Sequence, residues 1–315
     1  MRNLILVNRP GFQDPRDFES IAREILRIDG NIKVFIVSTR EGPECIAPKF
    51  WRNPTLTVSM GGIEKFVPRR GRVLFGRVIS RARQAELFAE HNIRAPRAVI
   101  YRPDLLFDEA EWGETLILKP DDFNLSSSGR TVSLVHTRDL NEPSRLSEPL
   151  KATLSTKTVL VQQFIPTGTH ATSYRVGTFL GRAIHMMRKS AARPLPDLTN
   201  GLPEDAVADS NYENPERGEY CARELVKDAQ MIAEAEHIAR LFEGLPLLGI
   251  DFLKHAETGE LYAAEINGGG NTWQFSSRHA EAGRTLITKD ERVKQFNAWN
   301  TCARALVRKV RELAK

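Results

Sequence analysis

Apolar positions recur along this chain in two rhythms. NLILVN (3–8) and IKVFIVST (32–39) are continuous apolar runs of strand length. Between them PRDFESIAREILRI (15–28) repeats its apolar residues at helical spacing, with Pro15 in its first turn. TLTVSM (55–60) adds a weaker third strand. Wholly apolar strands alternating with a helix predict a small α/β unit built on a parallel sheet. The turn after the first strand reads NRPGFQDP and lacks G-x-G-x-x-G, so a dinucleotide-binding reading loses its main support.

Beyond residue 78 the pattern changes. ISRARQAELFAEHNI (79–93) predicts a helix that leads through "RAP" into a strand, PRAVIY (96–101). Strands then dominate: TLILKP (115–120), RTVSLVH (130–136), KTVLVQQFI (157–165), TSYRVGTFL (172–180) and RAIHMMRKS (182–190). The last two, joined at Gly181, read as a hairpin. Residues 191–220 hold four prolines and many acids and read as a long functional loop. RELVKDAQMIAEAEHIARLF (223–242) predicts one long helix, LLGIDFLKH (247–255) and ELYAAEIN (260–267) a second hairpin, and 289–313 a single basic amphipathic helix.

Composition narrows the class. The chain has 315 residues, enough for two or three domains, with ordinary hydrophobic (41%) and charged (27%) content for a globular protein. The five-residue apolar run near Met1 is too short for a signal-peptide core, and no stretch approaches the roughly 20 apolar residues of a membrane span. Cys45, Cys221 and Cys302 are scattered without ligand spacing, which predicts reduced thiols in a cytoplasm-like compartment and argues against a structural zinc. A net charge of +5 suits polyanionic ligands such as nucleotides. Basic residues are dispersed and no nucleic-acid-binding motif is present, so nucleic acid is the minor reading.

Candidate chemistry collects at strand ends. Glu265 and Asn267 share one face of a strand, about 6 to 7 Å apart. Asp251, in GIDFL, is a carboxylate flanked by apolar residues on the strand expected to pair with it. A buried carboxylate is costly unless it is paired or on a metal. Three oxygen donors on adjacent strands suit Mg²⁺ or Mn²⁺ better than zinc. Lys119 ends an otherwise apolar strand, and SSSGRTVSLV (126–135) is a small-residue loop whose N–H groups could meet phosphate oxygens. No P-loop and no paired-histidine zinc spacing occurs. Arg278 and Lys189, read as surface cations, could bind a substrate carboxylate.

In order, "IRAP", "LILKP", the small-residue loop, "VLVQQFI", "YRVGTFLGRAIHMMRKS", "GIDFL" and "AEIN" resemble the ATP-grasp superfamily. The likeness is greatest to its ribosomal-protein glutamate ligase and D-alanine–D-alanine ligase branches, and covers about residues 78–290. It implies an α/β and α+β architecture: a small N-terminal α/β domain (1–77), then two subdomains clasping ATP (78–165 and 166–315). It further implies Lys119 and Arg81 on phosphates, with Arg81 where a lysine is usual; an arginine keeps the charge and gains a fork of donors. Ser127, Ser128 and Gly129 would close on the phosphates. Gln163, Phe164 and Ile165 would form the adenine hinge, and Arg188 would meet the triphosphate or the acyl-phosphate. Asp251, Glu265 and Asn267 would hold Mg²⁺. The chain departs from the pattern in the hinge acid, replaced by Gln162–Gln163, and in the ribose-binding acid, replaced by Ser173 before Arg175. Thr131 also stands where a second loop glycine is common.

The resulting expectation is an ATP- and Mg²⁺-dependent ligase joining a small-molecule or peptide carboxylate to an amine (or thiol) through an acyl-phosphate. It would be cytoplasmic and without membrane partners, with a homodimer left open. The alternatives are a kinase phosphorylating a small-molecule hydroxyl and an ATP-binding module without catalysis. The glycines after Asn267 are read as giving a substrate close approach.

Overall fold

The computed structural model describes residues 1–121, 132–198, 209–211, 219–269, 272–277 and 287–315. The apolar runs at the start of the chain form a parallel sheet. β1 (Arg2–Asn8) lies between β2 (Ile32–Ser38) and β3 (Thr55–Ser59), and β4 (Arg72–Phe75) pairs with β3 at the far edge. From Asn3 onward every residue of β1 is buried, as expected of a parallel strand covered on both faces. α1 (Pro15–Ile28) starts where Asp14 accepts a bond from the Arg16 N–H, and it buries Phe18, Ile21 and Ile25.

A second sheet takes the order β5-β8-β6-β7. Its strands are β5 (Ala98–Ile100), β6 (Thr115–Pro120), β7 (Ser133–His136) and β8 (Val159–Gln163), all antiparallel. Leu116, Leu118, Val135, Val159 and Val161 form its core with Phe107, Leu140 and Leu146. Three short helices absent from the sequence reading accompany this sheet: α3 (Glu109–Trp112), α4 (Thr137–Asn141) and α5 (Glu148–Thr156). At four, five and nine residues they show too few turns for a periodic signal to emerge.

The third sheet, with β11 (Ala222–Leu225) at one edge, runs β11-β10-β9-β12-β13 and is antiparallel throughout. β9 (His170–Phe179) and β10 (Arg182–Pro194) form the expected hairpin, turning at Leu180 and Gly181, which both have positive φ. β12 (Leu247–Lys254) and β13 (Leu261–Asn267) form the second. Val176, Met186, Ile250 and Ile266 project from one face toward α2 (Arg81–Glu90) and α6 (Ala229–Leu241). On the other face Phe179 and Leu247 join Trp273, Phe275 and the C-terminal helix in a core shared with α1 and β1.

Two expected helices are divided. Ala222–Leu225 is β11, paired with β10, and α6 begins only after Asp228 accepts a bond from the Met231 N–H. The C-terminal helix is two, α7 (Lys289–Phe296) and α8 (Ala298–Leu313), separated at Asn297, whose φ of 48° ends the first. The 191–220 segment is strand as far as Pro194. Among the described residues no helix is long and apolar enough to cross a membrane.

Candidate active site

The register of the third sheet assembles one polar face. Asp251 lies directly opposite Arg175 on one side and Glu265 on the other, and Gly249 lies opposite Asn267 and Gly177. Cross-strand partners share a face, so Arg175, Asp251, Glu265 and Asn267 project together. Ala264 is the extra residue of a bulge between the Asp251 and Phe252 pairs. This face looks across a cleft at Lys119, Phe164 and Ile165 of the second sheet and its following segment, and Arg81 at the start of α2 reaches the same space. A cavity of about 140 Å³ lies there, and a second of about 240 Å³ behind it shares Arg81, Lys119 and Glu265 as walls.

The charges are held in fixed pairs. Arg175 Nε donates to Asp251 Oδ1 at 2.6 Å, and Nη2 donates to Oδ2 of the same carboxylate. Asn267 Nδ2 donates to Asp251 Oδ2 at 3.1 Å. Burial alone would raise the Asp251 carboxyl, but the Arg175 guanidinium holds it below the usual carboxylate range. Arg81 Nη1 donates to the Pro120 carbonyl at 2.6 Å, Asp121 Oδ1 accepts from the Arg81 N–H, and Arg81 Nη2 lies 3.9 Å from Glu265. Lys119 Nζ donates to Gln162 Oε1 at 2.6 Å, and burial pushes its ammonium below the ordinary lysine value.

The donor set fits a hard divalent cation. Asp251, Glu265 and Asn267 offer two carboxylates and a carboxamide oxygen on adjacent strands, and among the described residues lining the cleft none is a cysteine or histidine. Asn267 bonds Asp251 through its nitrogen, which leaves Oδ1 as a donor to a metal. Among the described residues no group of three His, Cys, Asp or Glu side chains makes a metal cluster.

Several expected residues stand elsewhere. Arg188 is paired with Tyr174, one step out of phase with Arg175, so it points to the opposite face and bonds Glu224 at 3.0 Å. The pleat brings its neighbour Lys189 to the site face instead, and Lys189 is 8% exposed rather than a surface cation. Gln163 turns its side chain toward the Arg97 N–H, leaving Phe164 and Ile165 at the cleft. Ser173 faces the cleft and is bonded to Ser210. Gly268 is needed for a different close approach from the one expected. A Cβ there would lie 2.5 Å from the Arg77 carbonyl, so this glycine lets two backbones cross. Ser127, Ser128, Gly129, Thr131 and Arg278 lie outside the described residues.

Two further contributions to the site carry little signal in the sequence. Gln162 carries the bond to Lys119; the signal was a polar residue in phase with Leu160 within an apolar strand. Asp209, Ser210 and Asn211 line the cleft from the long loop, where no periodicity marks them.

No family profile matches the sequence, and no curated protein matches it either. Solved structures do resemble it. The ATP-grasp ligase PsnB, in complex with minimal precursor, Mg and ADP, is 13% identical, and the alignment covers 98% of this chain and 98% of that one at a TM-score of 0.52. The D-cycloserine synthetase DcsG is 12% identical, with 98% and 99% coverage and a TM-score of 0.50. Likeness over the full length, around a cleft with carboxylates on one sheet and a lysine on the other, establishes that this chain has the ATP-grasp fold.

Proposed function

We propose that this protein is an ATP- and Mg²⁺-dependent ligase that joins a carboxylate to an amine through an acyl-phosphate. The observation that carries the reading is the placement of Asp251, Glu265 and Asn267 on one face, opposite Lys119 and beside Arg81. Asp251, Glu265 and Asn267 would hold Mg²⁺, which supplies charge neutralisation at the phosphates. Arg175 fixes the Asp251 carboxylate by two bonds and keeps it ionised. Phe164 and Ile165 line the same cavity as Lys119 and Arg81, so the first two would wall a base and the cations would meet phosphate oxygens.

In the first step a substrate carboxylate oxygen attacks the γ-phosphorus, and the bond to the β-phosphate oxygen breaks to leave ADP. Lys119 and Arg81 stabilise the charge that builds on the transferred group. In the second step an uncharged amine attacks the acyl carbon, phosphate leaves with the original carboxylate oxygen, and the amine gives up a proton. The resemblance supports substrates of small-molecule or peptide type; PsnB has been solved in complex with the precursor peptide PsnA2 and AMPPNP.

Two measurements test this. Asp251→Asn and Glu265→Gln should each abolish Mg²⁺-dependent nucleotide turnover while the fold, read by circular dichroism, persists; full activity in either variant would remove the metal assignment. With an acceptor pair in hand, a carboxylate labelled with heavy oxygen should pass one label into free phosphate as ADP and amide form. A stable phosphorylated product with no free phosphate would replace the ligase by a kinase.

A further inference from the structure

The ligase chemistry leaves one buried charge unused. Lys189 is 8% exposed, and among the described residues its Nζ donates to one neutral oxygen, Oδ1 of Asn211, at 3.0 Å. On the same face Arg223 lies directly across from it on β11, and Ser173 directly across on β9, next in phase to Arg175. Arg175 is committed to Asp251 by two bonds, so that acid is already matched. A buried ammonium whose partner among the described residues is a neutral amide is undercompensated. Burial, then Arg175, lowers its pKa to about 8, and Asp251 and Asp209 offset this only in part.

Sheet order places this charge apart from the phosphate-binding cations. Lys189 on β10 is two strands from Asp251 on β12 and three from Glu265 on β13, roughly 10 and 14 Å at ordinary strand spacing. Lys119 and Arg81 approach from the Glu265 side. An oxyanion on Lys189 is therefore not the group being phosphorylated. Asn211 Oδ1 occupies the place such an oxygen would take.

We propose that Lys189, flanked by Arg175 and Arg223, binds a second oxyanion of the substrate, so that the substrate carries an anionic group besides its reacting carboxylate. The inference rests on the ligase reading for what reacts, but the anion site can be tested without turnover. Glutarate and inorganic phosphate are titrated calorimetrically into the full chain, with and without saturating AMPPNP and Mg²⁺. The comparison includes the parent, Lys189→Met and Lys189→Arg. At least one of the two anions should bind the parent; Lys189→Met should weaken it by about tenfold or more, and Lys189→Arg should retain most of it. Affinity for AMPPNP with Mg²⁺ should change by less than about twofold in both variants, as expected for groups without a shared partner.

The proposal is overturned if neither anion binds the parent, or if Lys189→Met binds them equally well. It is also overturned if that variant loses nucleotide affinity instead, which would make Lys189 a nucleotide ligand. Glu265→Gln separates the two readings: it should remove Mg²⁺-dependent nucleotide binding and, being three strands from Lys189 and no partner of Arg175, leave the anion isotherm measured without nucleotide in place. An anion isotherm in a parent that does not bind nucleotide would defeat the ligase reading alone.

Discussion

Replacing Arg175 by methionine should cost this protein about 3–5 kcal/mol at neutral pH, because it strands a buried carboxylate. Asp251 is 9% exposed and takes two bonds from the guanidinium. At a charge separation of about 4 Å and an effective dielectric of about 20, the lost attraction is about 4 kcal/mol, in the same range. Asn267 still donates one bond, but it carries no charge. The pH dependence follows from the direction of the shift. Burial pulls the Asp251 carboxyl up and Arg175 pulls it further down, so its folded value lies below the ordinary 3.8. A depressed carboxyl contributes stability above the unfolded pKa and loses it as pH falls through the folded value. Without Arg175 burial prevails, the carboxyl takes up a proton more readily, and the deficit of the variant shrinks toward acid. Urea denaturation at about pH 7.5 and about pH 4.5, on Arg175→Met, Asp251→Asn and the double variant, should give a coupling of about 2 kcal/mol or more at the higher pH. Additive losses, or a deficit equal at the two pH values, would refute the reasoning.

Gly177→Ala should lose about 1–3 kcal/mol by overpacking, since a Cβ there would lie 2.1 Å from Nε2 of His185. Adding His185→Ala should recover part of that loss in urea midpoints, and no recovery would show that the ring is not the obstacle. His185 itself is a pH liability. Burial, reinforced by Arg175, lowers it from 6.5 to about 3, so below 6.5 the unfolded chain takes up a proton that the folded chain refuses. Stability therefore falls with pH, by about 2 kcal/mol between about pH 6.5 and 5 from this group. His185→Leu should flatten that slope in urea titrations; a slope equal to the parent's would assign it to other residues.

Much of the architecture was legible because burial leaves a local mark. β1 carries the unbroken apolar run Leu4 to Val7 and β6 the run Leu116 to Leu118, and TLILKP has the bounds of the observed strand. Failures fall where local pattern and tertiary context disagree. Arg223 to Leu225 continue the apolar spacing of a helix, yet they pair with Met187 to Lys189 because β10 offers an open edge. The periodicity of 289–313 survives through Asn297, although the backbone there turns left-handed and starts a new helix.

The same division holds at the site. Residue identity supplied the oxygen donors and cations for hard-metal and phosphate chemistry, and alternation along β13 put Glu265 and Asn267 on a common face. Phase within one strand is a local property, set by the pleat. It could not say which of Arg188 and Lys189 faces the cleft, because that depends on register with β9, where Lys189 meets Ser173 and Arg188 meets Tyr174. Nor could it say that Arg175 belongs to Asp251, or that Asn211 reaches Lys189. The first pair is 76 residues apart and the second 22, and no periodicity connects positions on different strands or on a loop. Only the assembled sheet brings Arg175 and Asp251 within bonding distance, and there their mutual attraction offsets the cost of burial.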